Sequence, residues 1–292
     1  MRCHPLLVLL FTACTAVTSP EHAPNVVATP LGLVVATLES AAHDPAHQDA
    51  TCKVFHHVFA RDGTLLTKGP GGEYPHHRGL FVGWNQMLWH GARYDFWHCR
   101  NGETQQFQSF VPPADLGLDA TWQVAAIDWR TGKGEGVIAE RRALRASEIA
   151  DDATVLDLVI ELRATDGPVR LAGDPQHSGQ QFRALKQFAE KDAAPVRYVR
   201  PAGAAGGKDD VWTACDWIAA VLPMPGGPVT VLRIEGRDNP KPCTWSTRPY
   251  GRFGATFAHE LQPGTPLRVS FTYVIALGER DAAWCAATAA AR

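Results

Sequence analysis

The sequence predicts an all-β chain, an antiparallel β-sandwich with a short helix at its C-terminus. Three observations predict it. Short β-prone stretches recur along most of the chain, turns containing Gly, Pro or Asp separate them, and the clearest stretches alternate apolar with polar residues at period two.

Taken in order, Arg2 precedes an apolar run over residues 6–11, and small residues follow it (Thr12, Ala13, Cys14, Thr15, Ala16). A cationic start, a short hydrophobic stretch and small residues read as an export signal over residues 1–19. The run is too short for a membrane span, which needs roughly 20 residues. Residues 11–14 also loosely resemble a lipoprotein cleavage box, so anchoring through Cys14 is the second form export can take. Residues 20–30 read as a loose linker. Residues 51–60, the turn Arg61-Asp62-Gly63 and residues 64–66 form a hairpin signal. Residues 122–129 and 136–144, joined by a turn at 131–134, form another. Over residues 155–162, Leu156, Leu158, Ile160 and Leu162 share one face, and Asp157 and Glu161 take the other. Asp166-Gly167-Pro168 then turns the chain into residues 169–171. Leu267, Val269, Phe271, Tyr273 and Ile275 repeat the alternation. Residues 201–210 contain three glycines and read as a loop. Residues 180–190 have room for a short helix, and the alanine-rich residues 282–292 form the terminal one.

A chain of 292 residues that is 45% hydrophobic can bury a sizeable core, and with no internal repeat it reads as one domain over 31–292. The net charge of −2 carries no basic footprint for nucleic acid, and a small-molecule or oligosaccharide substrate fits better. Nothing beyond the signal is apolar enough to span a bilayer, and the oligomeric state is left open. Five cysteines remain after the signal (Cys52, Cys99, Cys215, Cys243, Cys285), with no CxxC pair to suggest a zinc knuckle. Buried thiols plus one bridge is the reading. Serine-hydrolase elbows, HExxH helices, phosphate loops and dinucleotide fingerprints are absent.

Chemistry concentrates in four segments. Residues 69–79 join a Gly- and Pro-rich turn to Glu73, His76, His77 and Arg78, ahead of a strand that can hold the loop at a cleft. On an extended backbone His76 and His77 would face opposite ways. Residues 176–183, if extended, put His177, Gly179, Gln181 and Arg183 on one face; a solvent-facing polar strand is the bland alternative. Residues 89–98 interleave aromatics, Trp97 among them, with polar groups, a mixture that suits sugars. Residues 245–254 offer Arg248 and Tyr250 as anchors for a carboxylate or carbonyl. Cys99 beside His98 is only a weak sign of thiol catalysis.

The stretches Tyr74-Pro75-His76-His77-Arg78-Gly79-Leu80-Phe81, residues 173–183 and residues 248–254 together resemble the PmoA-like ("methane oxygenase PmoA") family of bacterial proteins, over about residues 31–278. That resemblance implies a β-sandwich of unsettled activity, many members being exported. It places His76, His77, Arg78, His177, Gln181 and Arg183 in family motifs without assigning them roles.

The expected function is an exported enzyme that cleaves, eliminates or epimerises a glycoside or oxidised sugar by proton transfer. His77 or His177 would act as base, with the other imidazole or Glu73 as acid. Arg78 and Arg183 would stabilise an enolate-like oxygen, while Gln181, Trp97, Arg248 and Tyr250 hold the sugar. No cofactor is assigned; one divalent metal on His76, His177 and a carboxylate would be an alternative electrophile. Two other readings stand beside this one: a non-catalytic carbohydrate-binding sandwich, and a metal-dependent oxygenase as the family label suggests.

Overall fold

Alternation at period two decides which side of each strand is buried, and here it builds two facing sheets. The structure is a computed structural model that describes residues 23–150, 152–207 and 210–292. The export signal expected over 1–19, with Cys14, lies outside the described residues.

Nine strands form one sheet, in the order Val26–Ala28, Val34–Glu39, Phe55–Val58, Leu80–Trp84, Ser178–Arg183, Arg252–Thr256, Thr244–Arg248, Val211–Thr213 and Ala205–Gly206. Eight form the second, in the order Arg197–Val199, Trp217–Leu222, Val229–Glu235, Leu267–Leu277, Ala153–Ala164, Gly136–Ala150, Gln123–Arg130 and Thr104–Phe110. A third, four-stranded sheet contains Met87–Trp89, Ala92–Tyr94, Val169–Leu171 and His259–Leu261. Strand pairing is antiparallel throughout the sheets, as expected of a β-sandwich.

Leu156, Leu158, Ile160 and Leu162 enter one core with Val269, Phe271, Tyr273 and Ile275, and they meet Leu80, Val82, Phe182 and Phe253 of the nine-stranded sheet there. On the opposite side of the same strand, Asp157 accepts hydrogen bonds from Arg145 and Thr272. A polar link crosses the core: Gln180 Oε1 accepts from the Tyr273 hydroxyl at 2.6 Å and from Arg233 Nε at 3.0 Å. Burying these three polar groups costs less because they satisfy one another.

The hairpin after residue 51 forms, with Leu66 N–H donating to Val58 and Gly63 left-handed at the turn (φ 83°). Its first residue does not join it, because Gln48–Thr51 is a helical turn. The strand beginning at Gly136 runs on to Ala150. Val26–Ala28, inside the expected linker, pairs with Val34–Glu39 instead of staying loose, and Ala205–Gly206 forms a short strand inside the expected 201–210 loop. Residues 180–190 split into the end of a strand and a 3₁₀ turn, Lys186–Ala189, because Gln180 and Phe182 are both claimed by the core. The C-terminal helix is Ala282–Ala290, capped by the Asp281 carboxylate on Trp284 N–H. No helix among the described residues is long and apolar enough to cross a membrane.

Candidate functional site

Between core-facing Leu80 and Val82, Phe81 points to the outer face of the nine-stranded sheet. There it joins Phe55 and Trp97 in a small separate apolar cluster. The cluster is a platform for two loops. The first, residues 69–79, leads into Leu80–Trp84; the second, residues 95–100, is laid across Gly83. A Cβ on Gly83 would stand 2.5 Å from the Phe96 carbonyl oxygen, so only glycine allows this approach. Gly83→Ala is therefore expected to destabilise the fold by about 1–3 kcal/mol, the usual cost of overpacking. Urea unfolding measures it, and an unchanged midpoint would refute the close fit.

The loops carry a run of imidazoles. Tyr74 adopts a left-handed conformation (φ 58°) and His77 N–H donates to the Tyr74 carbonyl at 3.0 Å. This is a turn and not an extended segment, so His76 and His77 do not face opposite ways: their rings meet at 4.2 Å. His76 lies 4.5 Å from His98, and His98 lies 5.1 Å from His177, between ring centroids. Trp97 touches both His77 at 5.6 Å and His177 at 6.0 Å. Buried Lys53 ties the loops together, its ammonium donating to the carbonyls of His76 and Trp97.

Two of these rings are held by acids three residues earlier. His98 Nδ1 is 2.7 Å from Asp95, and His177 Nδ1 is 2.9 and 3.0 Å from the two Asp174 oxygens. Asn85 donates to Asp174 at 2.7 Å and Gln176 N–H at 2.9 Å. Burial alone would raise the Asp174 pKa, but hydrogen bonds from His177 and Asn85 outweigh it and hold the carboxyl well below its usual range. Asp95 behaves likewise, through His98. An ionised carboxylate on Nδ1 leaves Nε2 as the free nitrogen. His76 and His77 differ. Burial, then Lys53, pushes His76 down to about 2; burial, then His76 and Arg252, puts His77 far below its ordinary value. Both stay neutral, with His76 Nε2 and both His77 nitrogens buried and unpartnered.

The other residues singled out from the sequence divide. Arg183 and Tyr250 lie beside His77: the guanidinium sits 4.6 Å over the Tyr250 ring, which stacks with Tyr74 at 4.9 Å and His77 at 6.3 Å. Arg248 lies in the same cross-strand row as Arg183 and is 3.6 Å from Asp210. Glu73 is exposed on the loop and pairs with Tyr74. Three residues serve the scaffold. Arg78 is fully buried and donates to the carbonyls of Asp49, Ala50 and Pro75, so its charge braces the loop and is not displayed to a ligand. Gln181 is fully buried, donates to the Ser178 carbonyl and accepts from Arg252, so its amide ties strands together and is not displayed to a hydroxyl. Trp97 is fully buried and acts as floor. His98 stands between His76 and His177, and among the described residues no three His, Cys, Asp or Glu side chains are gathered to hold a metal ion.

A protein-family profile described as a family of unknown function (DUF6807) matches residues 30–290. The chain belongs to this family. The resemblance to PmoA-like proteins is corrected accordingly: the DUF6807 match carries no methane-oxygenase assignment, and the oxygenase reading, which came only with that label, goes with it. No curated protein matches the sequence. Among solved structures, the DUF6807 chain is similar to a mutant heparan sulfate lyase HepC from Pedobacter heparinus (TM-score 0.41, 7% identity, covering 85% of this chain and 34% of that one). It is also similar to a protein from the human microbiome provisionally named a kojibiose phosphorylase (TM-score 0.35, 5% identity, covering 88% and 34%). The chain thus spans about a third of the length of either. At these scores the likeness assigns the DUF6807 chain neither activity nor substrate.

Reading the sequence segment by segment missed Asp95, His98, Asp174 and Arg252 as partners within one DUF6807 site. A signal for the first three was present: the spacing Asp-x-x-His occurs at Asp95–His98 and Asp174–His177, and a third time at Asp44–His47, where the pair is exposed and lies outside this run of rings. The five cysteines are all buried and unbridged, contrary to the one bridge expected. Behind the site, the neighbouring Cys99 thiol lowers the Cys52 pKa, while Cys99, fully enclosed, is raised by burial.

Proposed function

We propose that this protein is an exported enzyme acting on a carbohydrate by general acid–base chemistry, with His98 and His177 moving the proton. One observation carries the reading: two imidazoles, each held by a carboxylate at Nδ1, present their rings to each other 5.1 Å apart. Each carboxylate fixes its ring's tautomer and stabilises the imidazolium that forms when Nε2 takes a proton. One imidazole can abstract a proton from a sugar carbon or hydroxyl while the other, protonated, delivers one to a leaving oxygen or to the opposite face of that carbon. Elimination, epimerisation and glycosidic cleavage all need that pair.

His77 takes a different part from the one the sequence suggested. Enclosed and held neutral, it positions the rings around it instead of exchanging protons with substrate. Glu73, out on the loop, is turned to Tyr74. The sugar reading is supported by Tyr74, 37% exposed and stacked on Tyr250 beside the histidines, where a ring face can receive sugar C–H bonds. Screening glycosides and oxidised glycosides, each with and without chelator, tests the proposal. Turnover abolished in His98→Ala and His177→Ala supports it. Sugar binding that survives both substitutions, with no turnover by any form, would instead establish a binding module.

A further inference from the structure

Three neighbouring strands place arginines directly opposite one another. Arg183 pairs in register with Arg252, and Arg252 with Arg248, so the three side chains rise in one row from the outer face of the sheet. Like charges directly opposite across strands are destabilising. Arg248 has Asp210 at 3.6 Å, but among the described residues no carboxylate lies within ion-pair distance of Arg183 or Arg252. Both Nη atoms of Arg252 have neutral partners, Gln181 Oε1 at 3.1 Å and Ser246 Oγ at 2.9 Å, and only its Nε is buried without one.

Arg183 is the exception. Its Nη1 donates to the carbonyls of Ala184 and Tyr250, while Nε and Nη2 are buried without any partner. Those two nitrogens form one edge of the guanidinium, the fork whose parallel N–H bonds match the two oxygens of a carboxylate. A buried cation with an unpaired donor edge costs stability until an anion completes it. The residue is 0% exposed, beneath Tyr250 and the Tyr74 loop. A ligand that reaches this edge has to displace the loop above it, where Gly71 and Gly72 are left-handed with open space around them and Lys68 donates to the carbonyls of Gly71, Glu73 and Tyr74 at 2.7, 3.1 and 3.1 Å.

We infer that the Nε–Nη2 edge of Arg183 is an anion subsite, and that the substrate is a sugar bearing a carboxylate, a uronic acid unit, bound with its charge on Arg183 and its ring toward the histidines. The sugar part rests on the proposed function; the anion subsite rests on the arginine row alone. A planar carboxylate suits a single two-donor edge, whereas a tetrahedral sulfate would leave an oxygen buried and unpaired.

Calorimetric titration of the full chain with methyl glucuronoside, its methyl ester, methyl glucoside and a sulfated methyl glucoside tests this. Wild-type protein is expected to bind the glucuronoside at least tenfold more tightly than the other three. Arg183→Lys, which keeps the charge but loses the fork, should remove that preference, while His177→Ala should retain it. A glucuronoside bound no better than its uncharged ester, or failing to bind at millimolar concentration, overturns the inference on wild-type protein without relying on any variant to fold. Preference for the sulfated sugar overturns the carboxylate assignment. A tenfold glucuronoside preference alongside undiminished turnover in His177→Ala and His98→Ala would sink the proton-transfer reading and leave the subsite standing.

Discussion

His177→Ala is expected to lower kcat by about 10²–10⁴-fold, the contribution of one well-placed general acid or base, with a much smaller change in KM. The imidazole is held by Asp174, and Asp174 also holds the turn through Gln176 N–H, so truncating the ring removes a proton carrier without unravelling the turn. Asp174→Asn is the more searching variant. An amide can keep a hydrogen bond to Nδ1 but cannot stabilise an imidazolium, and if its NH₂ faces the ring it selects the wrong tautomer. It should lose a large share of the same activity with the fold intact. His98→Ala and Asp95→Asn should behave as a second matched pair. Because the two imidazoles act on one proton inventory, the double variant His98→Ala/His177→Ala should fall little below the worse single one. Additive losses, or an Asp174→Asn enzyme within twofold of wild type, would count against a coupled pair.

Where periodicity governed the outcome, the sequence was readable. The alternation from Leu156 to Leu162 and from Leu267 to Ile275 reappears as the two core-facing rows of adjacent strands, because a period of two has one way to bury an apolar face. The edges read poorly: Val26–Ala28 and Ala205–Gly206 become strands through partners that lie elsewhere in the chain, and local composition does not announce them. The site was legible as a set of segments but not as a geometry. Arg78, Arg183 and Gln181 look equivalent in a motif, yet both Nη atoms of Arg78 are held by main-chain carbonyls and Gln181 is tied between Ser178 and Arg252, while Arg183 keeps a two-nitrogen edge unpartnered. His98 was overshadowed by Cys99 beside it. Its role depends on a loop crossing Gly83, which is a tertiary fact.

Acid should destabilise this protein early, below about pH 6.5 and well above the range where carboxylates titrate. His56, His76 and His77 are all held neutral in the fold: burial and Arg142 depress His56, burial and Lys53 depress His76, and burial and His76 depress His77. The unfolded chain takes up a proton on each near its model value of 6.5, while the folded His76 resists down to about 2. The unfolded state therefore binds more protons as pH falls, and stability that is fully present above pH 6.5 drains away below it. Each such histidine contributes a slope of up to about 1.4 kcal/mol per pH unit. Asp174, its folded pKa depressed, adds a further loss in the same direction only at lower pH. Urea midpoints at pH 7.5, 6.5, 5.5 and 5.0 give the profile, and a flat one would show that the imidazoles are not enclosed as described. His56→Leu separates the contributions: it removes one titrating group from the core side of the sheet and should flatten the slope by up to about 1.4 kcal/mol per pH unit, His57 and His259, also depressed by burial, keeping their smaller shares. A bound carboxylate offers the opposite control. His77 feels Arg252, Arg183 and Lys53 together, so an anion on Arg183 offsets part of that field and makes protonation of the folded state less unfavourable. Saturating uronate should then blunt the acid loss in wild-type protein and leave it unchanged in Arg183→Lys.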